Sequence, residues 1–217
     1  MNVKMSQAVD QFSDKDVVPD YTILSHRWME GEEVTYQEFI KDQEQTRSKA
    51  GYKKILRACQ WTLVMGGQYL WVDTCCIDNG NHDEIARNIR SMYAYYQNAS
   101  FCYAYLADVR THGDFTSSEW WERGWTLQEL LAPPRVHFYD KKWRQIGSKH
   151  ELRHEIAELT DIPQEVLSVD VLERMSWTTG RETTKPQDRA YCLMGLLNVS
   201  LKPNYEEHLP FVSPQPK

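Results

Sequence analysis

Short, apolar, β-rich segments alternate with longer helical segments along the first two thirds of the chain. The β-rich segments predict strands near residues 21–25, 69–73, 101–106 and 135–139. Apolar residues recur at helical spacing between them, at positions 55, 59 and 63 and at positions 85, 89, 92 and 96. Because strands that alternate with helices are joined by βαβ crossovers, this pattern predicts an α/β fold with a short parallel sheet flanked by helices.

The pattern changes after Asp140, where the segments read as helices. "SKHELRHEIAELTDIP" begins with a capping box from Ser148 to Glu151, and "SVDVLERMSW" and "TKPQDRAYCLMGLLNV" also predict helices. The final "LPFVSPQPK" is rich in proline and predicts disorder. We therefore expect an α/β core over about residues 20–145, a helical C-terminal elaboration over about 146–205 and a disordered tail over 206–217.

Composition and charge exclude several classes of protein. The 217 residues carry a formal net charge of −6, which argues against nucleic-acid binding because such surfaces are normally basic. No apolar run reaches the roughly 20 residues that span a bilayer, and the polar N-terminus predicts no secretory signal. The five cysteines form no CxxC pair, which favours buried reduced thiols over a redox role for the adjacent Cys75 and Cys76. We expect a cytoplasmic protein without a membrane span.

Polar side chains follow the first two predicted strands, at the point where each strand ends. They are Ser25, His26, Arg27, Trp28, Asp73 and Cys76. In an open parallel sheet, ligands bind beyond the carboxyl ends of the strands, so these residues are candidates for substrate binding. The alternative is that they are polar only because loop ends are solvated.

The stretch "SEWWERGWTLQELL", from Ser118 to Leu131, places three tryptophans before Glu129, the last of its three glutamates. It predicts a helix that begins near Ser117, on which Trp121, Trp125 and Glu129 lie at i, i+4 and i+8. Glu129 is then either a boundary residue beside core tryptophans or a carboxylate in an aromatic-walled cleft. Such a cleft suits a flat heteroaromatic ligand that carries ribose hydroxyls, and the residues alone leave both interpretations open.

The segment "HELRH" matches the HExxH pattern of zinc peptidases, with His150 and His154 as the metal ligands. Charged residues surround this helix on nearly every side, whereas a zinc-binding helix is normally buried against its metal. A solvated helix face is therefore the favoured interpretation, and no metal site is expected. The chain also contains no GxGxxG, Walker or GxSxG motif.

Four blocks in order resemble the fungal heterokaryon incompatibility (HET) domain. They are "YTILSHRW", "LWVDTCCID" with "EIARNIRSMYAYY", "RGWTLQELLAP", and the late "RMSW" with "RETTKPQDRAYCLMGLLNV". The resemblance covers about residues 20–205 and leaves residues 1–19 as an N-terminal extension. It implies a distant relationship to TIR domains and hence a TIR-like, flavodoxin-like sheet.

The resemblance also implies a function, namely that of a cell-death effector in fungal non-self recognition and innate immunity, often attached to an NLR-type receptor. Many TIR domains cleave NAD with a glutamate in a Ser-x-Trp-Cys-x-x-Glu-Leu segment. Here Trp125, Thr126, Glu129 and Leu130 match that segment, so the catalytic role falls on Glu129. NAD is then a substrate rather than a cofactor, with Arg27 facing its pyrophosphate and Trp125 or Trp28 stacking on a base.

Activity of this kind implies a homo-oligomer, possible assembly by an NLR-type receptor and no resident cofactor. Two other functions stay open at the level of sequence. One is a non-enzymatic signalling adaptor that acts by homotypic self-association, and the other is a zinc peptidase that uses His150 and His154.

Overall fold

A five-stranded sheet with helices on both faces forms the centre of the computed structural model, which describes residues 16–163, 180–197 and 203. The strands are β1 (Thr22–His26), β2 (Leu70–Trp71), β3 (Phe101–Tyr105), β4 (Val136–Tyr139) and β5 (Gln145–Ser148), in the order β2-β1-β3-β4-β5. The strands β1 to β4 run parallel to one another, and β5 is antiparallel to β4. The predicted α/β fold with a mainly parallel sheet is confirmed, whereas β5 was not predicted.

Two long helices cover the sheet as the periodicity predicted. They are α3 (Ala50–Val64) and α5 (His82–Asn98), and α5 begins where the Asn81 side chain accepts a hydrogen bond from the Glu84 N–H. Two short helices, α1 (Tyr36–Lys41) and α2 (Glu44–Ser48), precede α3. The described residues also form the helices α4 (Asp73–Cys76), α6 (Thr126–Leu131), α7 (Arg153–Thr160) and α8 (Asp188–Tyr191).

Both faces of the sheet are buried, so consecutive residues of β1 enter different cores. Ile23 packs in the cluster that includes Trp120 and Phe138, while Leu24 packs in the cluster that includes Ile55 of α3. All five residues of β1 are buried, as expected for a parallel strand covered on both sides. The continuous burial of β1 leaves its carboxyl end as the place where polar side chains meet.

The second strand is shorter than predicted. β2 contains only Leu70 and Trp71, and Asp73 begins α4 instead of ending the strand. The Asp73 carboxylate accepts a hydrogen bond from the Thr74 N–H at 2.7 Å, a local side-chain to backbone contact that competes with strand pairing.

The C-terminal part agrees with the sequence patterns only in part. The capping box is present, because the Ser148 N–H donates to Glu151 and the Glu151 N–H donates to the Ser148 hydroxyl, yet α7 begins later, at Arg153. The helix predicted over 184–199 is reduced to α8 followed by turns to residue 197.

Some predictions fall outside the described residues. They are the helix over "SVDVLERMSW", the tail 206–217 and most of the N-terminal extension 1–19, so the domain limits stay predictions. Within the described residues, no helix combines the length and apolar character that crossing a bilayer requires.

Gly51 provides a test of how the loop after β1 packs on α3. A Cβ added at Gly51 would lie 2.5 Å from the Glu32 carbonyl oxygen and 3.0 Å from the Glu33 Cα, and backbone atoms cannot move aside as a flexible side chain can. We expect Gly51→Ala to lower the free energy of unfolding by about 1–3 kcal/mol, although alanine favours helix by about 1 kcal/mol. Urea denaturation measures the change.

Gly113→Ala is the matched control, because its added Cβ would meet nothing closer than the Thr111 hydroxyl at 3.8 Å. A Gly51→Ala variant as stable as wild type would contradict this packing.

Candidate functional site

The topology itself locates a crevice at one edge of the sheet. The chain leaves β1 for β2 on one side and later returns to β3 on the other side of β1. In such open sheets, ligands bind at this switch point, beyond the carboxyl ends of the two central strands. Ser25 and His26 are the last residues of β1, and they therefore lie at that point.

The structure brings the residues that follow β1 and β2 together. The Trp28 indole N–H donates to the Asp73 carboxylate at 2.8 Å, and His26 Nε2 lies 3.8 Å from the other Asp73 oxygen. Trp28 keeps 48% of its surface exposed, so its ring is available at the mouth of the crevice.

The prediction of a single helix through the tryptophan-rich stretch is wrong. A short 3-10 turn over Glu119–Glu122, named here the 119–122 turn, is followed by extended backbone and only then by α6. Glu182 causes the break, because its N–H donates to the Glu122 carbonyl at 2.6 Å and its carbonyl accepts from the Gly124 N–H at 2.7 Å. Backbone that pairs with a distant segment in this way cannot stay helical.

Gly124 permits a close approach between the two paired segments. A Cβ at this residue would lie 2.7 Å from the Thr183 side chain, so the glycine makes room for the segment that carries Glu182.

The break separates the three residues that were predicted to share one helix face. Trp125 immediately precedes α6, and its indole donates to the Asp188 carboxylate at 3.1 Å rather than facing the crevice. Trp120 is the tryptophan that reaches the site, since its indole N–H donates to the Ser25 hydroxyl at 2.9 Å. Sequence reasoning missed Trp120, because the predicted helix face of Glu129 contained Trp121 and Trp125 instead.

Glu129 is buried, with 6% of its surface exposed, in the second half of α6. The Ser25 hydroxyl donates a short hydrogen bond to its Oε2. Glu129 is therefore not a boundary residue, and it does not line an open cleft either. Cavities of about 560 and 290 Å³ lie elsewhere, the larger beside Trp121 and Arg181 and the smaller beside Asp108 and Arg110.

Burial controls the charge of Glu129. Removal of the carboxyl group from water raises its pKa from 4.5 to about 7, against the opposing effects of the Arg123 charge and the Ser25 hydrogen bond. Near neutral pH the group is therefore about half ionised. A carboxyl group in this condition exchanges a proton readily and can also carry a full negative charge.

A second buried charged cluster adjoins the site. His26 is 3% exposed, and its Nε2 lies 3.6 Å from Glu33, which pairs with the Lys54 ammonium at 2.6 Å. Burial and then the Lys54 charge lower the pKa of His26, against the opposing charges of Asp73 and Glu33. Burial opposes ionisation of Glu33, but hydrogen bonds and charges from its two partners outweigh it and lower its pKa to about 2. No pattern in the sequence indicated that Glu33 or Lys54 would lie here.

Arg27 and Cys76 lie at the same edge of the sheet. Arg27 is exposed and forms an ion pair with Glu119 of the 119–122 turn. Cys76 is partly exposed, and its sulfur accepts a hydrogen bond from the Val72 N–H at 3.4 Å. A hydrogen bond from Cys75 lowers the pKa of the Cys76 thiol to about 6. The other four cysteines are buried, as predicted.

Comparison with known proteins identifies the family. The model of the heterokaryon incompatibility protein (HET) family matches residues 21–116. The chain is also 40% identical over 208 residues to the Vegetative incompatibility protein HET-E-1 of Podospora anserina. The chain carries a HET domain. The alignment with HET-E-1 covers 88% of this chain and 15% of that protein, so the chain spans a small part of its relative.

The family match includes only half of the site. Residues 21–116 contain Ser25, His26 and Asp73, whereas Trp120 and Glu129 lie beyond them. No solved structure matches the chain. The catalytic role of Glu129 therefore stays a prediction that rests on the geometry of this HET domain.

The HELRH segment of the HET domain does not form the arrangement that a zinc peptidase requires. His150 and Glu151 lie in the turn before α7, and only His154 is on the helix, so the two histidines do not share one helix face. Across residues 16–163 and 180–197, no three His, Cys, Asp or Glu side chains are grouped so that they could hold a metal ion.

The pH dependence of stability tests the burial of Glu129. Its folded pKa of about 7 lies above the ordinary 4.5, so stability is highest below pH 4.5 and falls as pH rises through 7. Glu129→Gln resembles the protonated acid and avoids this loss. We expect the variant to match wild type at pH 4 and to exceed it at pH 8 by about 3 kcal/mol in urea denaturation. Exposed Glu122→Gln should follow the wild-type profile, and identical profiles for all three proteins would contradict the assignment.

Proposed function

We propose that this HET domain is a cell-death effector of fungal non-self recognition and innate immunity that hydrolyses NAD, with Glu129 as the catalytic carboxylate. The observation that carries the proposal is the buried Glu129, held by Ser25 at the switch point of the sheet. A carboxyl group in that position, with a pKa of about 7, is the type of group that enzymes tune for chemistry at neutral pH.

The chemistry requires a negative charge close to a sugar. Cleavage of the bond between nicotinamide and ribose passes through a cation that resembles an oxocarbenium ion, as glycoside hydrolysis does. An ionised Glu129 would stabilise the cation that forms as the bond to nicotinamide breaks, and water would then add to the ribose carbon and release its proton. Because the ionised form is required, the rate should rise with pH as Glu129 ionises, with a midpoint no higher than the covered-state pKa of about 7.

Three features support NAD as the substrate and a TIR-like fold as its frame. The strand order β2-β1-β3-β4-β5 is that of flavodoxin-like sheets, although β5 is antiparallel here. The exposed ring of Trp28 can stack on a base. Arg27 can bind the pyrophosphate with its planar guanidinium group once it leaves Glu119, whose carboxylate now occupies it. Trp125, which is bound to Asp188, is the weaker candidate for stacking.

Access to Glu129 requires a movement. Side chains from the 119–122 turn and the residue after it bind three consecutive residues at the end of β1. Trp120 binds Ser25, Arg123 binds the His26 carbonyl, and Glu119 binds Arg27. We propose that assembly of a cytoplasmic homo-oligomer, driven by an attached NLR-type receptor, displaces this turn and admits NAD.

Substitution of Glu129 tests the catalytic assignment. Glu129→Gln keeps the size of the side chain but removes the charge, so we expect at least about a hundredfold loss of NAD cleavage. Release of nicotinamide from purified protein measures the rate, and toxicity in cells should fall with it. Glu122→Gln, an exposed glutamate on the 119–122 turn, should retain both. Full cleavage by Glu129→Gln would show that another group carries the chemistry.

Assembly predicts that specific activity depends on protein concentration. Dilute protein should be weakly active because Glu129 stays covered, and activity per molecule should rise with the oligomer fraction measured by light scattering. A specific activity that stays constant while the protein remains monomeric would count against assembly.

The covered state of Glu129 also favours one alternative function, a non-enzymatic adaptor that acts by self-association. In that case the assembled wild-type protein releases no nicotinamide, and Glu129→Gln still removes toxicity.

A further inference from the structure

Two hydrogen bonds in series connect Trp120 to Glu129 through Ser25. The Trp120 indole N–H lies 2.9 Å from the Ser25 hydroxyl oxygen, and this hydroxyl contacts the Glu129 carboxyl group. The exposed fractions of the three residues are 1%, 0% and 6%, in the order Trp120, Ser25 and Glu129. Bulk water therefore has little opportunity to replace either hydrogen bond.

The chemistry of the donors fixes the direction of this pair of bonds. An indole N–H can only donate, so the Ser25 oxygen must accept from Trp120. An ionised Glu129 can only accept, so the single hydroxyl proton of Ser25 is directed at Glu129 when that carboxyl group is charged. A donor aimed at a carboxyl group favours the ionised form.

Aromatic packing holds the indole in place. Trp120 meets Trp121 edge to face at a centroid distance of 4.7 Å, and it meets Phe138 of β4 edge to face at 5.8 Å. Ser25 is held equally firmly, because it belongs to β1 and pairs with Ala104 of β3 in the centre of the sheet.

We infer that Ser25 and Trp120 are positioning residues, in which the Trp120 indole fixes the Ser25 hydroxyl as a donor that holds the Glu129 carboxylate ionised and oriented. The catalytic consequence of this inference rests on the proposed NAD hydrolysis, whereas the hydrogen-bond geometry does not depend on it. Ser25 is thereby assigned to the support of Glu129 rather than to direct contact with substrate.

Titration of the Glu129 carboxyl carbon tests this inference without any activity. ¹³C NMR of glutamate-labelled protein gives the midpoint, and the signal is assigned by its loss in Glu129→Gln. Loss of a hydrogen bond to a charged group corresponds to about one pH unit or more, so Ser25→Ala should raise the midpoint by roughly that amount. Trp120→Phe should raise it less, because the freed hydroxyl can still donate part of the time.

Trp121→Phe is the matched control. This neighbouring tryptophan is also buried, and its indole donates to the Phe115 carbonyl at 2.8 Å, away from Ser25. Phenylalanine keeps an aromatic ring against Trp120, so the loss of this N–H donor should leave the Glu129 midpoint unchanged. An unchanged midpoint in Ser25→Ala, or an equal rise in Trp121→Phe, overturns the inference, and Trp120→Phe supplies the test if Ser25→Ala does not fold.

Activity separates this inference from the proposed function. If wild-type protein cleaves NAD, the pH–rate midpoint of Ser25→Ala should move upward with its titration midpoint, because Ser25 belongs to β1 and stays beside Glu129 when the 119–122 turn is displaced. A titration midpoint that shifts without a shift in the pH–rate profile would overturn the positioning role. If the midpoints move but wild-type protein never releases nicotinamide, the hydrogen-bond arrangement stands and the NAD hydrolase proposal fails.

Discussion

The Ser25 hydroxyl joins parts of the chain that lie far apart in sequence. It contacts Glu129, 104 residues away, and Trp120, 95 residues away. A buried carboxyl group without hydrogen bonds would cost several kcal/mol, so α6 can place Glu129 beneath the sheet edge only because β1 offers a partner there. The Trp120 side chain completes the arrangement. Its ring packs in the core beside Phe138, and its indole N–H, the one polar group of the side chain, donates to Ser25. Core packing and the geometry of the site are therefore the same set of contacts.

The C-terminal segment takes part in this arrangement. Glu182 pairs with the backbone on both sides of Arg123, and the buried Arg181 donates to the Arg123 carbonyl and to the Thr126 hydroxyl, both at 3.1 Å. These contacts fix where α6 begins, and hence where Glu129 points. Residues 181 and 182 lie well beyond the stretch that the family model matches, which means that the site depends on more of the chain than its most recognisable part.

Local patterns predicted those elements whose cause is local. The strands of the parallel sheet and the helices α3 and α5 follow from periodicity, and the limits of the strands lie within two residues of those predicted. The tryptophan-rich stretch has an equally good helical pattern, but pairing with Glu182 overrides it. No residue near position 118 indicates that this stretch pairs with a segment some sixty residues later in the sequence. Glu129 was found through a family resemblance and not through its contacts, since a pattern cannot reveal that Ser25 and Glu129 meet.

The burial of Glu129 creates a conflict that the proposed opening of the site would resolve. Stabilising a cation requires the ionised carboxylate, yet burial favours the protonated form and keeps the pKa near 7. Displacement of the 119–122 turn would admit water together with substrate, and renewed solvation lowers the pKa of a carboxyl group toward its ordinary value. Opening would also remove the Trp120 indole from Ser25, but the gain from solvation is the larger effect, because burial is the largest cause of the raised pKa. A single movement would thus expose Glu129 and charge it, so that the covered form is inactive for two physical reasons rather than one.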